Sequence, residues 1–132
     1  MKNKKWHTIK ENASTPRGRA YHTADKIGNK IVYVGGMGDN NEILGEVWLF
    51  CLDKHQWTRV NLHQKHLEEQ IKRCGHTTFV ADKRTQHANI GLYIIGGMTF
   101  RHGKFVRCSL SELVCLDFSE IPSETRPHGV KL

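Results

Sequence analysis

The sequence predicts an all-β chain built from two consecutive four-stranded antiparallel sheets. Three observations carry that prediction. First, the chain repeats itself in three blocks of fixed order. Arg19-Ala-Tyr-His-Thr23 returns as Arg73-Cys-Gly-His-Thr77. Ile31-Val-Tyr-Val-Gly-Gly-Met37 returns as Leu92-Tyr-Ile-Ile-Gly-Gly-Met98, and Glu46-Val-Trp-Leu-Phe50 as Glu112-Leu-Val-Cys-Leu116. Second, the apolar runs at 31–34 and 47–50 are short and unbroken, the pattern of strands buried on both faces. Third, turn residues separate those runs at close intervals.

The elements follow in order. The first copy places strands at 21–26, 30–34, 46–52 and 56–61. Gly28-Asn29 is a two-residue hairpin signal, because both residues tolerate positive φ. Asp53-Lys-His-Gln56 supplies the next turn, with Asp at its start. In residues 62–72, Leu67 and Ile71 are four apart, as are Glu68 and Lys72, so a short surface helix links the copies. The second copy places strands at 76–81, 91–95 and 112–118. Its spacing is wider than the first copy's, which puts insertions in the polar segments 82–89 and 99–111, read as loops. A sheet that is apolar on both faces needs another sheet on each side. Radial stacking of such sheets is a β-propeller, and each repeat is then one blade.

These residues resemble a kelch repeat: Arg-x-x-His-Thr, a strand, Gly-Gly, a loop, Glu-Val-Trp-Leu-Phe, a turn, Trp. The first copy carries Arg19, His22, Tyr33, Gly35, Gly36, Val47, Phe50 and Trp57 at kelch-like positions, with Trp48 inside the third strand. The second carries Arg73, Gly75, His76, Tyr93, Gly96, Gly97 and Asp117, but Ser123 stands where its closing Trp would fall, so its outer strand is missing. Residues 6–10 look like the last strand of a preceding blade. The organisation expected from the resemblance is a tail and preceding strand at 1–16, a blade at 17–61, a linker at 62–72, a second blade at 73–121 and a tail at 122–132. Two blades do not close a ring. They leave apolar faces that further blades, or another copy of the chain, are expected to cover.

The repeated residues suit structural work. Glycine at the strand end permits positive φ and close backbone approach. The Trp57 ring fills the gap between blades. His22 and His76, duplicated at one spacing, read as rings hydrogen-bonded to backbone within their blade. The resemblance implies that the loop after each double glycine and the loop entering the inner strand share one end, where kelch propellers hold peptide partners. That end would present Arg17, Arg19, Tyr21, Met37, Asp39 and Asn40 from the first blade. The second would add Arg73, Thr99, Phe100, Arg101 and His102. Arginines beside aromatics suit an acidic peptide, the guanidinium forking onto a carboxylate while a ring packs against its stem.

The expected function is a non-catalytic protein-interaction module, a scaffold or a ubiquitin-ligase substrate receptor. The competing reading is part of a kelch-like propeller enzyme of the oxidase or sugar-isomerase type. No G-x-S-x-G is present, and Gly36-Met-Gly38 lacks the third glycine and helix of a dinucleotide loop. His63, His66, Cys74 and His76 lack paired C-x-x-C spacing, so neither metal nor cofactor is expected. The net charge of +7 is spread rather than gathered in a basic run, so nucleic acid is not the expected partner. No apolar stretch approaches the ~18 residues of a membrane span, and the charged start lacks a signal peptide's apolar core. The four cysteines then read as reduced thiols of a cytoplasmic or nuclear protein.

Overall fold

The computed structural model describes residues 4–83 and 89–118. Strands β1 (Thr23–Ile27), β2 (Lys30–Val34), β3 (Val47–Cys51) and β4 (Gln56–Arg59) form one four-stranded antiparallel sheet in chain order. Helix α1 (Lys65–Ile71) follows. Strands β5 (Thr77–Lys83), β6 (Asn89–Ile95) and β9 (Val114–Asp117) form a three-stranded antiparallel sheet, and β7 (Met98–Arg101) pairs with β8 (Lys104–Arg107) as a separate ribbon.

Register decides which side chains face which neighbour. Val32 pairs with Leu49 and Val34 with Val47, so the pleat sets these four on one face of the first sheet. Ile31, Tyr33, Trp48 and Phe50 occupy the other face, where Phe50 pairs with Trp57. In the second sheet Leu92 pairs with Leu116 and Ile94 with Val114. The valine–leucine face of the first sheet and this face of the second share one core with Ile27, Val60, Ile71 and Phe118. Val32, Val34, Val47, Ile71, Leu92 and Ile94 are fully buried there. Each such side chain contributes about 1.5–3 kcal/mol relative to exposure. Ile71 explains the helix: its one-turn spacing from Leu67 aims both residues at the core while Glu68, Glu69 and Gln70 stay exposed.

The innermost strands of the two sheets are bonded to each other. His76 Nε2 lies 3.1 Å from the Thr23 hydroxyl, the Thr78 hydroxyl donates to Asp25, and the Gly75 amide donates to the Tyr21 carbonyl at 2.9 Å. Two sheets facing across a shared core, joined along their first strands, are adjacent blades of an open β-propeller.

Three expectations need correction. Segment 99–111 is not simply a polar loop. Thr99 and Val106 alternate with Phe100 and Phe105 around a His102-Gly103 turn, whose two residues both take positive φ (52° and 76°), and β7 and β8 result. Segment 82–89 is partly strand, because β5 runs to Lys83 and β6 begins at Asn89; residues 84–88 lie outside the described set. Residues 6–10 form no strand and join no sheet among the described residues, and Trp6 is fully exposed. The expected Gly28-Asn29 hairpin does form, pairing Ile27 with Lys30, and Gly28 supplies its positive φ, 58°. The expected features of 119–132, including Ser123, lie outside the described residues.

Candidate interaction site

The repeated motif builds the same device twice. Arg19 Nη1 donates to the Gly35 carbonyl at 3.1 Å, and Arg73 Nη1 donates to the Gly96 carbonyl at 3.0 Å. Each arginine of Arg-x-x-His thus reaches the first glycine of its own double glycine. Each histidine packs under the second: a Cβ on Gly36 would stand 2.9 Å from that of His22, and one on Gly97 would stand 2.9 Å from that of His76. The residue after each arginine bridges to the methionine after each Gly-Gly, Ala20 to Met37 and Cys74 to Met98. The two devices also touch, since the Gly36 amide donates to the Arg73 carbonyl at 2.9 Å.

The electrostatics match that structural role. Burial alone would raise the Glu46 pKa, but hydrogen bonds from Trp48 and Arg19, with the charges of Arg19 and Arg59, hold it below the usual carboxylate range. Arg19 donates to it at 2.9 Å and Trp48 at 2.8 Å. His76 is pushed down to about 4, first by burial and then by the Arg73 charge, and His22 is lowered by burial and Arg19. Both rings bury Nδ1 without a hydrogen-bond partner among the described residues. The partners of the His76 ring, the Thr23 hydroxyl and the Val34 backbone, belong to the neighbouring blade rather than, as expected, to its own.

Where the two devices meet, an open cleft of about 520 Å³ lies between Tyr21, Met37, Cys74, Gly75, Gly97, Met98, Arg107, Cys108 and Leu110. Its lining is mostly apolar, and Tyr21 and Leu110 are largely exposed at its rim. Tyr21 is held there by a left-handed backbone, φ 56°. Burial pushes the Cys74 thiol up, with the nearby Cys108 adding to it, so Cys74 stays a protonated apolar lining group rather than a nucleophile.

Of the residues expected at this end, Tyr21 and Met37 line the cleft. Arg19, Arg73 and Thr99 turn inward: the two guanidinium groups are spent on glycine carbonyls, and Thr99 is buried on the inner side of the β7–β8 ribbon. Arg17 pairs with Glu42 on the surface, 2.7 Å apart. Asp39 and Asn40 are exposed in a short 3-10 turn. Phe100, Arg101 and His102 are exposed on the ribbon and its tip. Met98, Arg107 and Leu110 were not expected. The methionine following Gly-Gly in both copies was the available signal for Met98, and the alternation in 98–107 for Arg107.

Of the structural residues, Trp57 packs between Tyr33 and Phe50 with ring centroids 4.9 Å from each, on the first sheet's outer face. Tyr93 stacks on Phe79 at 5.2 Å on the second sheet's outer face. Among the described residues no group of three or more His, Cys, Asp or Glu could hold a metal ion, and no helix is long and apolar enough to cross a membrane.

Paired blades whose Arg-x-x-His motifs clasp their double glycines define a kelch-type propeller segment. The chain belongs to the Attractin/LZTR1 beta-propeller family, whose model matches residues 1–120. It is also similar to an F-box/kelch-repeat protein of Arabidopsis thaliana, 31% identical over 93 residues that make up 67% of this chain. The chain spans 19% of that relative's length. Kelch-type propellers are in general protein-interaction modules.

Proposed function

We propose that this chain is a non-catalytic interaction module that holds a protein or peptide partner at the double-glycine end of its blades. The observation that carries this reading is the open apolar cleft between Tyr21, Met37, Met98 and Leu110. It is wide enough for a large side chain, and backbone clasps on both sides fix its walls before any partner arrives. Such preorganisation favours binding by lowering the ordering cost. A scaffold or ubiquitin-ligase receptor role belongs to the same reading, and the F-box in the name of the Arabidopsis relative motivates it. Further blades, or a second copy, would cover the outer aromatic face around Tyr33 and Trp57.

The test is selection of a displayed library of random short peptides against the whole chain, followed by NMR shift mapping with a selected peptide. Perturbations should gather at Tyr21, Met37, Met98 and Leu110. Perturbations gathered instead around Tyr33 and Trp57 would reject the double-glycine end as the site.

A further inference from the structure

The β7–β8 ribbon carries side chains that neither the core nor the repeat motif uses. Met98 pairs with Arg107 and Phe100 with Phe105, so the pleat sets these four on one face. Thr99 and Val106 lie on the opposite face, where Thr99 is buried and Val106 half-buried. The first face therefore looks outward, and all four of its side chains are exposed. Phe100 and Phe105 meet edge to face, with ring centroids 5.2 Å apart. Met98 and Arg107 also line the cleft, so the ribbon face and the cleft are one continuous apolar surface. An apolar surface of that kind, contiguous and water-facing, marks a binding site more often than a neutral patch.

Charge says what would cover it. From residue 83 to residue 111 the sequence contains no aspartate or glutamate. Arg101, Lys104 and Arg107 stand on the ribbon in that stretch and form no ion pair among the described residues. We propose that the ribbon is a docking platform for an acidic peptide with one apolar anchor. The anchor sits in the cleft, and the flanking carboxylates meet Arg101, Lys104 and Arg107. The inference rests on the double-glycine end being the interaction site, and it names that site's partner chemistry. A peptide fits better than single-stranded nucleic acid. Thioether and aliphatic side chains suit an adaptable apolar anchor. A base-stacking platform also needs its cations interleaved with its rings, whereas here Arg107 stands at the cleft end of the ribbon and the paired Arg101 and Lys104 stand at its tip, at either end of the Phe100–Phe105 pair.

The experiment uses the whole chain and peptides selected from the displayed library. Selected sequences should be rich in Asp and Glu around an apolar residue. The best of them, dye-labelled, is titrated by fluorescence polarisation against the wild type, R101E/K104E and Tyr21→Asn. Asparagine tolerates the positive φ at position 21. R101E/K104E should melt like the wild type, since both side chains are exposed, and should weaken binding about tenfold or more, mostly lost again at high salt. If charge reversal unfolds the chain, R101Q/K104Q replaces it, with a smaller loss in the same direction. Neutral or basic selected sequences would overturn the proposal, as would a thymidine oligonucleotide binding more tightly than any peptide. Loss with Tyr21→Asn but none with R101E/K104E sinks the ribbon and leaves the site. Indifference to both variants sinks both readings.

Discussion

His76 Nε2 lies 3.1 Å from the Thr23 hydroxyl, so a ring rooted in the second sheet is bonded to the first strand of its neighbour. That ring is neutral in the fold, with its pKa lowered from 6.5 to about 4 by burial and by Arg73. The unfolded chain therefore binds a proton between pH 6.5 and 4 that the native chain refuses. Stability conferred by the neutral ring is complete above 6.5 and is lost as pH falls toward 4, by up to about 1.4 kcal/mol per pH unit. His22, lowered for the same reason, adds in the same direction. Urea unfolding across this range should show that slope, and His76→Gln should flatten it. An unchanged slope in the variant would assign the proton elsewhere.

Two ion pairs on neighbouring arginines should differ sharply in worth. The Arg19–Glu46 pair has side chains only 6% and 12% exposed, and Trp48 shares the carboxylate. The Arg17–Glu42 pair is 49% and 55% exposed. Glu46→Gln leaves a buried guanidinium without its charge partner and should cost about 3 kcal/mol. Glu42→Gln should cost under about 1 kcal/mol, because water replaces the partner. Denaturant midpoints of the two variants measure the difference, and equal midpoints would contradict the burial argument.

Gly36 is irreplaceable on backbone grounds. Its φ is 106°, and a Cβ would stand 2.9 Å from the Ala20 carbonyl oxygen, which already accepts the Met37 amide. Gly36→Val should cost about 3 kcal/mol or more through strain and displacement of that bridge. At Gly18 a Cβ meets nothing within 4 Å, so Gly18→Ala should stay within about 0.5 kcal/mol. Thermal melts decide it. A Gly36→Val protein that melts like the wild type would remove the close approach from the account.

Strand order and core faces were legible because the signal is repeated and local. Val32, Leu49, Leu92 and Ile94 sit in unbroken apolar runs, and the double glycine aligns the copies. The site was legible only in part. Composition marks Arg19 and Arg73 as surface cations, yet both are consumed by glycine carbonyls sixteen and twenty-three residues away. The repeat held a hint: an arginine kept at one spacing from a histidine in both copies is doing the same job twice. The β7–β8 ribbon was missed because its polar residues masked the two-residue alternation of Thr99 and Val106 with the phenylalanines. Asymmetry between blades lay beyond reach from sequence, since the cleft depends on how Tyr21 and Gly75 meet through one backbone bond.

Arg73 ties both double glycines together, so its geometry as well as its charge should matter. Its Nη1 donates to Gly96, its Nε donates to the Gln70 carbonyl at 2.7 Å, and its own carbonyl accepts the Gly36 amide. A lysine keeps the charge but has a single nitrogen, which cannot serve two carbonyls held in fixed directions. Arg73→Lys should therefore lose about 1–3 kcal/mol, leaving one buried carbonyl unsatisfied. The loss should also be local in character. Hydrogen exchange at the Gly36 amide should quicken, because its acceptor is the carbonyl of the displaced residue, while amides in the middle of β3 keep their protection relative to global unfolding. Since this residue fixes one wall of the cleft, peptide affinity should fall with the stability. A variant with unchanged Gly36 exchange would show that charge alone, rather than the forked bond, holds the two loops in place.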